Sequence, residues 1–82
     1  MDVKIGNVYK HFNGKSYIVE NIATHTETEE KMVVYRALYG EGKVWVRPYN
    51  MFIEEVKNKS QKHRFELEKT IDNKKVIDSR SN

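Results

Sequence analysis

The 82-residue sequence predicts a mainly β protein, a small barrel of about five strands with one short helical turn. Three observations predict it. Val, Ile, Tyr, Phe, Trp and Thr dominate the first fifty-odd residues, and no window there keeps apolar positions at helical spacing for three turns. Turn signals at Asn13-Gly14 and Gly40-Glu41-Gly42 cut that region into strand-length pieces. Pro48 cannot donate to a sheet ladder and suits the first residue of a helical turn.

Taken in order, Gly6-Asn7 punctuates before a first strand over residues 8–12, and Asn13-Gly14 turns it into a second over 16–24. The polar loop 25–30 leads to a third strand over 31–39. Gly40 and Gly42 can take the positive φ of a tight hairpin, and a fourth strand follows over 43–47. After Pro48 comes one turn of helix over 49–53, then a polar stretch over 57–64, and Phe65-Glu66-Leu67 supplies a brief last strand. A helical turn just before the final strand favours an SH3-like β-barrel; five short strands also permit an OB-like one. Residues 1–68 read as one small domain. Residues 69–82 hold only Ile71, Val76 and Ile77 as apolar side chains and read as a flexible tail.

Size and composition exclude much. A stretch of 82 residues has room for one core, and a multi-domain enzyme is not expected. Fifteen Lys and Arg against twelve Asp and Glu leave a charge of +3, which permits an acidic partner without demanding one. Without cysteine there is no disulfide framework, thiolate metal site or cysteine nucleophile. No apolar run approaches the roughly 18 residues that span a bilayer, and no signal peptide opens the chain, so the expected location is the cytoplasm.

Strand alternation assigns the faces. A three-residue loop at 40–42 would set Tyr39 opposite Lys43, Ala37 opposite Trp45 and Tyr35 opposite Arg47. Pairing Thr24 with Lys31 sets Ile22 against Val33 and Glu20 against Tyr35. One face then carries Tyr35, Trp45, Arg47 and Glu20; the other carries Val19, Val34, Leu38, Val44 and Val46. Burying two charges inside a barrel is costly, so the aliphatic set is expected inside and the aromatic set on the surface. A single β-bulge would exchange the two sets from that point onward. Both faces are largely apolar, which makes a homodimer an expected arrangement.

The aromatic face is the candidate ligand-binding groove: Tyr35, Trp45 and Arg47, edged by Tyr9 and His25, to take a peptide or protein segment. The alternative partner is RNA or single-stranded nucleic acid, with Lys57, Lys59, Lys62 and Arg64 following phosphates beside the same aromatics. Neither catalysis nor a metal or cofactor is expected. His11, His25 and His63 lack the spacing that aims two imidazoles at one metal, and no serine lies in a nucleophile elbow. There is no phosphate loop either.

The segments Tyr9-Lys10-His11-Phe12-Asn13-Gly14, Ala23-Thr24-His25-Thr26-Glu27-Thr28, residues 32–40, Trp45-Val46-Arg47-Pro48, Met51-Phe52 and Arg64-Phe65 closely resemble a small bacterial family, domain of unknown function 1653. The likeness spans residues 6–67. The family pattern carries a proline before the Arg-Phe pair, where this chain has His63. The resemblance implies a compact, mostly β domain and brings no activity, cofactor or catalytic residue.

Overall fold

In the computed structural model, which describes residues 2–70, the first hairpin closes through its Asn-Gly pair. Gly14 takes φ +93°, a conformation that strains any residue with a Cβ, and its N–H donates to His11 O at 2.8 Å. Asn13 Oδ1 accepts from Lys15 N–H at 2.9 Å. The turn joins β1 (Val8–His11) to β2 (Ser16–Thr24). The next strands are β3 (Lys31–Ala37) and β4 (Val44–Pro48); α1 (Tyr49–Phe52) and β5 (Phe65–Lys69) follow. Pro48 ends β4 at φ −53° and immediately precedes the helix. Among the described residues no helix is long and apolar enough to cross a membrane.

All five strands join one antiparallel sheet in the order β4-β3-β2-β1-β5. β4 and β5 are its edges, and no ladder among the described residues joins them, so the sheet is open where closure was expected. It is nonetheless strongly curled. β3 and β5 lie three ladder spacings apart, roughly 14 Å in a flat sheet. Yet the rings of Tyr35 and Phe65 on those strands approach to 5.3 Å. The concave side is filled by aromatic rings: Tyr9, Tyr17, Tyr35, Phe52 and Phe65 are all buried. Phe52 reaches in from α1 and stacks flat on Phe65, with centroids 4.0 Å apart and planes 2° from parallel. The N-terminal residues cover one end, where Lys4 N–H donates to the Tyr9 hydroxyl at 2.8 Å and Val3 N–H to that of Tyr49 at 3.0 Å.

A bulge at Glu20 decides which face is inside. From Thr24↔Lys31 to Asn21↔Val34 the expected pairing holds, but beyond Glu20 it becomes Val19↔Tyr35 and Tyr17↔Ala37. The extra residue turns outward, where its carboxylate accepts from Arg36 Nε at 2.7 Å. Tyr17 and Val19 thereby join Tyr35, Ala37 and Val33 on the concave face, and all five are buried. The expected aliphatic interior is corrected: Val19 is buried, but Leu38, Val44 and Val46 project outward, 51%, 47% and 59% exposed, and Val34 is only half-buried. The cost of burying charge does not arise, because the bulge sends Glu20 out and the open edge leaves Arg47 half-exposed. The β3–β4 loop also differs. Tyr35 pairs with Trp45 and Val33 with Arg47, because the connection takes six residues, 38–43, with Gly42 at φ +69°. That moves the register by two residues and leaves the faces unchanged.

Val46→Ala is accordingly expected to cost less than about 0.5 kcal/mol, and Val33→Ala, at a site with no exposed surface, about 2 kcal/mol. Urea melts of the two variants check this; equal shifts would contradict the burial.

The segment between α1 and β5 folds back on itself. Glu55 bridges His63, Val56 N–H donates to Lys62 O at 2.8 Å, and Glu54 Oε1 accepts from Arg64 Nη2 at 3.1 Å. His63 N–H donates to Glu66 Oε2 at 2.9 Å, a bond that a proline at this position could not make. β5 runs to Lys69, one residue into the stretch read as tail. Residues 71–82 of that tail, with Ile71, Val76 and Ile77, lie outside the described residues.

Candidate functional site

The curl of the sheet leaves a cleft of about 190 Å³ on the concave side. Tyr17, Tyr35 and Phe65 form its floor, and Tyr39 and Trp45 stand on one side with His11 on the other. The floor is rigid because the rings brace one another edge to face: Tyr17 and Tyr35 at 5.4 Å, Tyr17 and Phe65 at 5.6 Å. Trp45 is 47% exposed, and Lys43 Nζ lies 5.9 Å from its ring centroid. Lys15 Nζ lies 4.6 Å above the ring of Tyr39. Trp45 and Tyr39 also line a neighbouring hollow of about 270 Å³, bordered by Lys43, Glu41 and Gly40.

Arg47 sits at the base of the cleft, half-buried. Its Nε donates to the Tyr35 hydroxyl at 3.3 Å, and its guanidinium carbon lies 5.7 Å from the Phe65 ring centroid. Among the described residues it has no carboxylate partner, whereas Arg36 and Arg64 are paired with Glu20 and Glu54. No acidic side chain lines the cleft. Burial first, and then the charges of Arg47 and Arg64, hold the His11 imidazole below its ordinary pKa, so it is neutral near pH 7. Its Nδ1 accepts from Asn13 N–H at 3.0 Å, which leaves the proton on Nε2.

The Tyr17 hydroxyl meets that of Tyr39 at 2.8 Å, and burial together with this bond pushes Tyr17 up to about 12. A group whose pKa is raised on folding stabilises the fold below its unfolded value and loses that contribution as pH climbs through the folded one. The urea midpoint is therefore expected to fall between about pH 10, the ordinary tyrosine value, and pH 12. Denaturation at intervals across that range, alongside tyrosinate absorbance, checks it. Tyr17→Phe should flatten the decline.

Of the residues expected at the site, the structure brings Tyr35, Trp45 and Arg47 together. Tyr35 contributes from beneath, since it is buried and offers the cleft its ring and hydroxyl. Tyr9 is not part of the cleft: it is buried in the core, where its ring meets Phe52 at 5.7 Å. Nor is His25, whose Nδ1 accepts from Glu27 N–H at 3.1 Å and Thr28 N–H at 3.3 Å and so caps the β2–β3 loop. Lys57, Lys59 and Lys62 are exposed on the loop before β5, while Arg64 is held by Glu54. Lys59 Nζ and the Arg64 guanidinium lie 4.8 and 5.7 Å from the Phe12 ring. Sequence reading missed His11, Tyr17, Tyr39 and Phe65. The Asn-Gly turn beside His11 was a usable signal, whereas nothing marks Tyr17 until the bulge is known. Among the described residues no three His, Asp or Glu side chains converge to hold a metal ion.

The chain is similar to a crystal structure of a DUF1653 protein from Bordetella bronchiseptica, with a TM-score of 0.73 and 28% identity over 87% of this chain and 94% of that one. No curated protein matches. The family described as protein of unknown function DUF1653 matches residues 7–67, from the buried Asn7 to Leu67 on β5, and the chain belongs to that family.

Proposed function

We propose that this protein is a non-catalytic binding module, a cytoplasmic SH3-like barrel left open between β4 and β5, whose aromatic cleft takes an extended peptide or protein segment. The observation that carries the reading is Trp45, half-exposed beside an Arg47 that has no acidic partner among the described residues, above a braced aromatic floor. Such an anchor pair is the usual centre of a protein-binding surface. The cleft lining holds His11 but no serine or carboxylate to work with it, which favours binding over chemistry.

The alternative is RNA or single-stranded nucleic acid. The cationic ring surface of Phe12, Lys59 and Arg64, with Lys57 and Lys62 nearby, favours it. Against it, Arg64 is already paired with Glu54.

Trp45 is the only tryptophan, so its fluorescence reports on the cleft. Acrylamide should quench it in the free protein and be excluded when a peptide is bound. Affinity should change little from 50 to 200 mM salt, while a ligand held by several phosphates would lose orders of magnitude. A Trp45 inaccessible to acrylamide in the free protein would contradict the reading.

A further inference from the structure

Resting on that binding-module reading, we infer that the occupant of the cleft is the C-terminal end of an extended peptide, laid along the free edge of β4 with its terminal carboxylate on Arg47.

Three observations converge on this. The first is the edge itself. Ala37 N–H donates to Lys43 O at 2.9 Å, so residues 43, 45 and 47 turn their backbone groups toward β3. By the same alternation Val44 and Val46 turn theirs away, and no strand among the described residues pairs with them. Edge strands are usually blunted by charge or proline, but Val44-Trp45-Val46 is apolar, and all three side chains are about half-exposed. A strand added there would set alternate side chains beside Trp45 and Arg47, facing the cleft.

The second observation is where this edge stops. Pro48 has no N–H, so the edge offers donors only at Val44 and Val46. At the same level the Arg47 guanidinium carbon lies 5.7 Å from the ring centroid of Phe65 on β5, within the opening between the two edge strands. A segment lying in that opening therefore meets the guanidinium end-on. A chain that continued would have to leave the sheet at this point; one that ends there loses nothing.

The third observation is charge. With Nε engaged by Tyr35, both Nη groups of Arg47 lack a partner among the described residues, and a planar guanidinium with two free donors matches a carboxylate. Lys15 and Lys43 stand at the rim over Tyr39 and Trp45, and no carboxylate lines the cleft to compete. The cleft thus offers positive charge with aromatic cover, complementary to an anionic chain end whose last side chains are apolar.

The test uses the full-length ¹⁵N-labelled protein and a randomised library of N-acetylated pentapeptides, made as free acids and as C-terminal amides. The free acids should shift the Trp45 indole and Arg47 Nε resonances, and the amides should bind at least about tenfold more weakly, in keeping with loss of a charge-assisted hydrogen bond. Arg47→Gln should abolish the difference. Val46→Pro, which removes an outward N–H and no ladder bond, should weaken the free acids about tenfold while leaving the remaining spectrum folded. Equal binding of acid and amide would overturn the carboxylate assignment and leave the cleft a binding site; no shift with either form would remove both readings. Sedimentation showing a dimer through β4, blocked by Val46→Pro, would give the edge to a second copy. Salt-sensitive shifts with an oligothymidylate and none with peptides would give it to nucleic acid. Either result would overturn the inference.

Discussion

Phe65→Ala is expected to destabilise the protein by about 3–5 kcal/mol, a large fraction of the roughly 5–15 kcal/mol that holds a domain of this kind together. Phe65 is 1% exposed and stacks on Phe52 at 4.0 Å. Tyr17, Tyr35 and His11 also set their rings edge to face against it, at 5.6, 5.3 and 4.8 Å. Its removal leaves a void that neighbours on three strands and a helix cannot all relax to fill. The melting midpoint should drop by at least about 15 °C, and circular dichroism on heating measures it. Phe65→Leu, which retains much of the volume, should fall between the variant and the parent. A loss below about 1 kcal/mol for the alanine variant would mean that the aromatic cluster is not the core.

Trp45→Ala is expected to do the reverse. Its ring is nearly half-exposed on an edge strand, so truncation should cost less than about 1 kcal/mol of stability. Binding of peptide to the cleft should weaken at least about 30-fold, the 2 kcal/mol of a hot-spot aromatic. Isothermal titration with a free-acid peptide selected from the library, beside a urea melt of the same variant, separates the two effects. If the variant loses about 3–5 kcal/mol of stability, Trp45 is a core residue and the binding cleft loses its main support.

The elements were legible because their boundaries rest on local chemistry. Asn13-Gly14 turns the chain at any tertiary fold, since only glycine takes φ +93° without strain, and Pro48 cannot extend a ladder. Five strands and the helical turn accordingly stand where turn residues and β-forming side chains place them. Trp45 and Arg47 were also legible as a pair, two residues apart on one strand and so on one face. Their partners across the cleft were not. Tyr17 and His11 come from strands whose place beside Arg47 depends on the curl of the sheet, and Tyr9 lies buried against Phe52 in the core, not at the edge of the groove.

The amino-acid sequence by itself determined the β class, the turns, the strand order along the chain and the aromatic-cationic character of one strand face. All of these follow from the backbone preferences of single residues and from alternation over a few neighbours. The tertiary structure alone decided which face is core and where the sheet stays open. One extra residue at Glu20 exchanges every side chain beyond it between inside and outside, yet a glutamate in a β-bulge has the same composition as a glutamate in a regular strand. The opening between β4 and β5 likewise has no local signature, because it is set by the summed twist and curl of five paired strands and by the volume of the Phe52 and Phe65 rings between them.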